Sequence, residues 1–183
     1  MEWLPLIFLI AVLVWAIWAY NRLITRRNRV ATAWSDIDVQ LTRRHDLIPN
    51  LVKVVSRYTE HESMTLEKVT RLRTQALSTE SPERLGIIED ELEGLLKRLL
   101  VLEENYPDLH ASGNFQQLSE QLVEVEDHLV FARRYYNGAV RDLNTTIEQV
   151  PDLIIARLFR FRQAEFYAAE ATQRVVPDLS TPS

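Results

Sequence analysis

From Trp3 to Tyr20 the chain runs 18 consecutive positions without a charge, and Arg22, Arg26, Arg27 and Arg29 follow at once. A helix needs about 20 mostly apolar residues to cross ~30 Å of hydrocarbon. With Met1 and Asn21 at its edges, this run reaches that length. Trp3, Trp15, Trp18 and Tyr20 lie towards its ends, where aromatic rings favour the headgroup layer. A cleaved secretory signal needs a positive leader and a small-x-small cleavage site. Here the leader is Met1-Glu2, and the one candidate site, Ile17-Trp18-Ala19, opens on a bulky residue. No polar residue interrupts the run on any face, which argues against a buried core helix. Pro5 is harmless in a first turn, where its missing N–H would lack a partner anyway. Residues 1–21 therefore read as an uncleaved membrane anchor.

Flanking charge sets the expected orientation, because cytoplasmic flanks carry excess Lys and Arg. The arginines follow the span and Glu2 precedes it, so the domain is expected on the cytoplasmic face. The alternative is a reversed anchor with the domain outside. Cysteine is absent, which excludes thiol catalysis, disulfides and Cys-based zinc sites. It does not decide the compartment.

The remaining length suits one helical domain, expected over 22–176, with a frayed tail over 177–183. Four glycines in 183 residues are too few for a strand protein rich in turns, and the Leu, Glu, Arg, Ala and Gln bias fits long helices. Charge is uneven. Asn21 to Leu77 holds 11 basic and 6 acidic residues, and Ser78 to Val130 holds 3 basic and 13 acidic. The first stretch suits anionic headgroups. The second, with no basic stripe elsewhere, speaks against nucleic acid.

Past the anchor, apolar residues recur at helical spacing from Leu23 through Trp34, Ile37, Leu41, Ile48, Leu51 and Val55 to Leu72. No glycine falls between residues 1 and 85, so the anchor and the first bundle helix are expected to be continuous. A kink is expected at Pro49 and a loosening near 59–65. Ser81-Pro82-Glu83 reads as a helix start: a cap, a proline at the first helical position and an acid at the positive end. A second helix should stop before Pro107. Tyr106 to Gly113 reads as a loop, with Asn114 capping a third helix that carries apolar residues from Phe115 to Ile147 and ends before Pro151. A short amphipathic helix over 152–161 and a further helical stretch to about Arg174 follow. The fold class is all-α: a transmembrane helix continuing into an antiparallel bundle of three to four main helices.

Three blocks within this frame are specific. They are Trp34-Ser35-Asp36-Ile37-Asp38-Val39-Gln40-Leu41; Arg43-Arg44-His45-Asp46-Leu47-Ile48-Pro49-Asn50-Leu51; and Ala132-Arg133-Arg134-Tyr135-Tyr136-Asn137, running on through Asn144 to Ile147 and Pro151. Together they resemble the LemA family of bacterial membrane proteins over essentially the whole chain. The resemblance implies an N-terminal anchor in the bacterial inner membrane, a bundle of long helices and no established enzymatic activity. Some members are associated with envelope processes or magnetosome membranes. The chain departs near its end: where the family often carries Gly within an LFGF segment, it has Arg160.

Pro49 frees the carbonyl of His45 from its helical partner. Asn50 sits beside it, and Asn137 and Asn144, one heptad apart, share a face. A buried polar set of this kind is expected to fix register between the first and third helices, the alternative being a ligand or partner site at the kink.

Catalytic chemistry is poorly supported. His61-Glu62 opens like a zinc-protease helix, but Thr65 stands where the second histidine must be. His45 and Asp46, being adjacent, point to different faces. His110 and His128 read as surface residues, and Glu89-Asp90-Glu91 with Glu93 as a solvated face. No phosphate loop or nucleophile elbow is present. No enzyme activity, cofactor or metal is expected. The expected partners are the bilayer and other copies of the chain, in a self-assembling scaffold at the membrane surface. The alternative is an adaptor or regulator of another envelope protein, for example in stress response or protein quality control.

Overall fold

The computed structural model describes residues 3–59 and 62–167. They form six α-helices and no strand: α1 Trp3–Val55, α2 Ser63–Leu77, α3 Pro82–Val101, α4 Pro107–His110, α5 Gly113–Glu148 and α6 Asp152–Leu158, with a 3-10 turn at Leu102–Glu104. The all-α expectation holds.

α1 is unbroken for 53 residues and carries Pro49 inside it. The apolar segment therefore enters the domain without a linker, as the missing glycines imply. The break comes after Val55, where a turn separates α1 from α2, matching the loosening expected near 59–65. Ser81 caps α3, its hydroxyl accepting the Arg84 N–H, with Pro82 at the first position and Glu83 in the first turn. Asn114 does not cap α5. The helix starts at Gly113, and the Ser112 carbonyl already accepts the Phe115 and Gln116 amides, so Asn114 lies within the first turn. The expected loop at 106–113 contains α4.

Helix α6 ends at Leu158, and residues 161–167 are irregular rather than helical. The chain reverses there through a left-handed residue, Arg160, at φ 55°. The Phe161 amide bonds to the Ala156 carbonyl and the Arg160 amide to the Arg157 carbonyl. This is the paired closure of a Schellman cap, whose left-handed position normally takes glycine. The family's LFGF glycine corresponds to Arg160. Residues 168–174, expected to be helical, and the tail at 177–183 lie outside the described residues.

The described chain divides into two compact units. Among the described residues, one comprises 3–38 and 131–165, the other 39–59, 62–130 and 166–167. In the first, Ala19 and Leu23 of α1 are fully buried with Leu143, Ile147, Ile155 and Ala156. α1 and α5 run antiparallel there, since Arg26 meets Asp142 while Trp34 meets Tyr136. In the second, Ile48, Leu51 and Val55 of α1 share a core with Val69 of α2, Leu92 and Leu99 of α3, Leu109 and Phe115.

Candidate functional site

The second unit has charges in its core. Arg44 is three residues past Leu41 and four before Ile48, so helical geometry puts it on the buried stripe of α1. Glu89, four residues past Leu85 and three before Leu92, occupies the matching place on α3. Arg44 is 1% exposed and Glu89 0%. Arg44 Nη1 donates to Glu89 Oε2 at 3.0 Å, and its Nη2 donates to Glu126 of α5. His45 Nε2 lies 2.7 Å from Glu89 Oε1. Burial alone would raise the Glu89 carboxyl, but the His45 hydrogen bond and the Arg44 charge outweigh it and hold the group below the usual carboxylate range. An ionised carboxylate only accepts, so His45 Nε2 carries the proton.

The carbonyl that Pro49 frees is also satisfied. Arg73 of α2 donates its Nε to the His45 oxygen at 2.7 Å. One turn of α1 thus ties to α2 through a backbone oxygen and to α3 and α5 through side chains. Both oxygens of Glu89 are engaged and sealed from solvent. That arrangement suits a structural lock.

Beside the lock, Leu96, Leu100, Leu122, Val123 and Val130 line a groove of about 340 Å³, with Arg44 and Glu126 also on its wall. Glu126 Oε1 is buried there without a hydrogen-bond partner.

The structure treats the residues singled out in the sequence unequally. Asp46 is exposed while its neighbour His45 is buried, as adjacent helical positions require. His110 and His128 are exposed; His61 lies outside the described residues. Glu89 is not on a solvated face, because the stripe of α3 turns it inward. Asn50 does not join a buried polar set. It is exposed beside Pro49, itself exposed, and lines a shallow surface depression with Asn114 and Gln117. Asn137 is half-buried. Asn144 fixes a different pair of segments from those expected. Its Nδ2 donates to the Ala164 carbonyl at 3.0 Å and its Oδ1 accepts the Ala164 amide at 2.9 Å, pinning the segment after α6 to α5. Tyr136 donates to the Glu165 carbonyl at 2.8 Å and meets the half-buried Trp34 at 5.3 Å between ring centroids. Its hydroxyl is pushed up to about 12 by burial and by the Glu165 charge. Asp36 is exposed.

The arginines after the apolar run are largely bound within the first unit. Arg22 pairs with the buried Asp152 and lies 4.4 Å over the Trp18 ring. Arg26 reaches Asp142 at 3.1 Å, Arg29 reaches it at 3.9 Å, and Arg27 sits over Phe161 at 5.8 Å. Trp3 and Trp18 are exposed, whereas Trp15 and Tyr20 pack against the core. Only 6% of the most apolar stretch is buried, unlike the core helix of a soluble domain.

The family model described as "LemA family" matches residues 33–180. The chain belongs to the LemA family. Protein LemA of Metamycoplasma hominis is 26% identical over 164 residues, which take in 87% of this chain and 74% of that protein. Magnetosome protein MamQ 2 of Paramagnetospirillum magneticum is 24% identical over 177 residues, covering 81% of this chain and 64% of the relative. Magnetosome protein MamQ of Magnetospirillum gryphiswaldense is 20% identical over 185 residues, covering 87% and 68%. The chain thus spans under two thirds of the length of MamQ 2. Membership in the LemA family and an apolar helix of spanning length together describe a membrane-associated helical protein.

Proposed function

We propose that the protein is a membrane-anchored helical scaffold of the bacterial envelope that assembles with copies of itself and performs no catalysis. The carrying observation is the continuity of α1. Ala19 and Leu23, at the end of the apolar run, are core residues of the first unit, so that unit joins the apolar run without a linker. A cleaved signal is a poor alternative, since cleavage near Ala19 would cut a continuous helix through its packed part. Lateral contact is supported by Phe131 and Tyr135 of α5, four residues apart and 68% and 52% exposed. That three related sequences are named magnetosome proteins also favours a role at a membrane. The domain faces the cytoplasm in this reading, following the arginines. The test is the mass of the full chain extracted in mild detergent, with Phe131→Ser/Tyr135→Ser beside it. Oligomers in the parent and smaller particles in the variant are expected. A strictly monomeric parent would overturn self-assembly.

A second reading, an adaptor for another envelope protein, rests on the groove beside the lock. An apolar wall next to an unpartnered Glu126 oxygen suits a partner helix with an apolar side chain and a cationic end. Cross-linking from Val123→Cys that captures one dominant membrane protein would favour it over self-assembly.

A further inference from the structure

Helix α6 is short and has two unlike faces. Asp152, Ile155 and Ala156 are buried. The other side exposes Ile154 at 59% and Leu158 at 70%, four residues apart, and the turns at its two ends expose Val150 at 79% and Phe159 at 54%. A contiguous apolar stripe on a protein surface marks a contact site.

Packing within the first unit fixes where this stripe lies along α1. Ile155 and Ala156 share a core with Ala19, and Trp15 and Ala16 pack against it. The Tyr20 ring meets Phe159 at 4.8 Å and Phe161 at 5.9 Å between centroids, and Arg22 pairs with Asp152. α6 is therefore attached to the last turns of the apolar segment, where the chain leaves hydrocarbon. Arg157, Arg160 and Arg162 are exposed beside it. An apolar face bordered by cations is the combination that binds in the headgroup–acyl boundary of anionic membranes.

We propose that α6 is a second membrane contact: its Ile154 and Leu158 face, with Val150 and Phe159 at the helix ends, enters the interface of the leaflet from which α1 emerges, with Arg157, Arg160 and Arg162 on anionic headgroups. Span and interfacial helix then grip the bilayer at two points and set the rotation of the first unit about the span. The proposal rests on the reading of α1 as an anchor.

The chain has no cysteine, so single cysteines carrying an environment-sensitive fluorophore report depth cleanly. The full chain is reconstituted into phosphatidylcholine vesicles with or without phosphatidylglycerol, and quenching by acyl-chain spin labels is measured. Labels at Ile154→Cys and Leu158→Cys are compared with Leu9→Cys in the apolar run and with Met64→Cys, which is 81% exposed on α2. All four positions are exposed, so folding is preserved. The expected result is quenching at 154 and 158 several-fold above that at 64, and stronger with phosphatidylglycerol. If position 9 is quenched while 154 and 158 follow 64, the α6 contact is wrong and the anchor stands. If position 9 is unquenched, both readings fall. A blue-shifted but unquenched signal at 154 and 158 means protein covers the face, and that also overturns the proposal.

Discussion

Arg44 and Glu89 stand on different helices, 45 positions apart, and their side chains meet at 3.0 Å with essentially no solvent access to either. Each occupies a helical position that an apolar residue would ordinarily fill. Such a pair gains little net stability, because desolvating two charges offsets most of their attraction, yet removing one partner strands the other. Together with Glu126, the pair joins α1, α3 and α5 in one buried charge cluster.

Glu89→Leu should therefore lower stability by about 3–5 kcal/mol, leaving the Arg44 guanidinium only the part-buried Glu126 and His45 Nε2 no acceptor. The double variant Arg44→Met/Glu89→Leu should recover most of that loss. Chemical unfolding of the full chain in detergent, followed by circular dichroism, compares the two. Equal destabilisation of single and double variants would show that the cost comes from packing and not from stranded charge.

Two pH limbs should follow from the shifted groups. The Glu89 carboxyl is held below its ordinary 4.5 in the folded protein. Its contribution is complete above that value and is lost as pH falls through the folded pKa. The Tyr136 hydroxyl is raised from 10.0 to about 12, so its contribution is complete below 10.0 and fades as pH rises to about 12. Thermal melts across pH should show both limbs. Glu89→Gln should flatten the acid one and Tyr136→Phe the alkaline one.

Asn144→Ala removes two hydrogen bonds that hold Ala164. A loss of about 1–3 kcal/mol is expected, since each net bond contributes about 0.5–1.5 kcal/mol. Hydrogen exchange should accelerate at Ala164 and nearby amides while the centre of α5 remains protected. Faster exchange throughout α5 would show that Asn144 supports the helix itself.

Arg160→Gly should stabilise the protein by roughly 0.5–1 kcal/mol. A side chain at φ 55° carries a left-handed penalty of roughly 1–2 kcal/mol, which glycine relieves, and glycine's larger unfolded-state entropy returns part of it. The Arg160 side chain is exposed, so little packing is lost. A rise in melting temperature checks this.

The apolar helix of spanning length, the all-α class and most helix ends were legible in the residues, because each is a local matter. Apolar length, proline, capping serine and the 3.6-residue period act within a few positions. The freed carbonyl at His45 was also legible, since it follows from Pro49 alone. Its partner Arg73, 28 residues away, was not. Glu89 was misread because it stands in an acidic run whose local composition resembles a solvated face. Its place on the stripe between Leu85 and Leu92 was the signal to weigh.

Periodicity says which side chains share one face of a helix. It does not say which face of another helix lies opposite. By itself the sequence determined that this chain carries an apolar segment of spanning length and continues it as helix, with stripes demanding burial. Only the tertiary structure decided that Arg44 meets Glu89 and Glu126, that Asn144 holds Ala164 and not the first helix, and that α6 rests against the end of the apolar segment. Those pairings join residues far apart along the chain, and only packing that satisfies every buried group at once selects them.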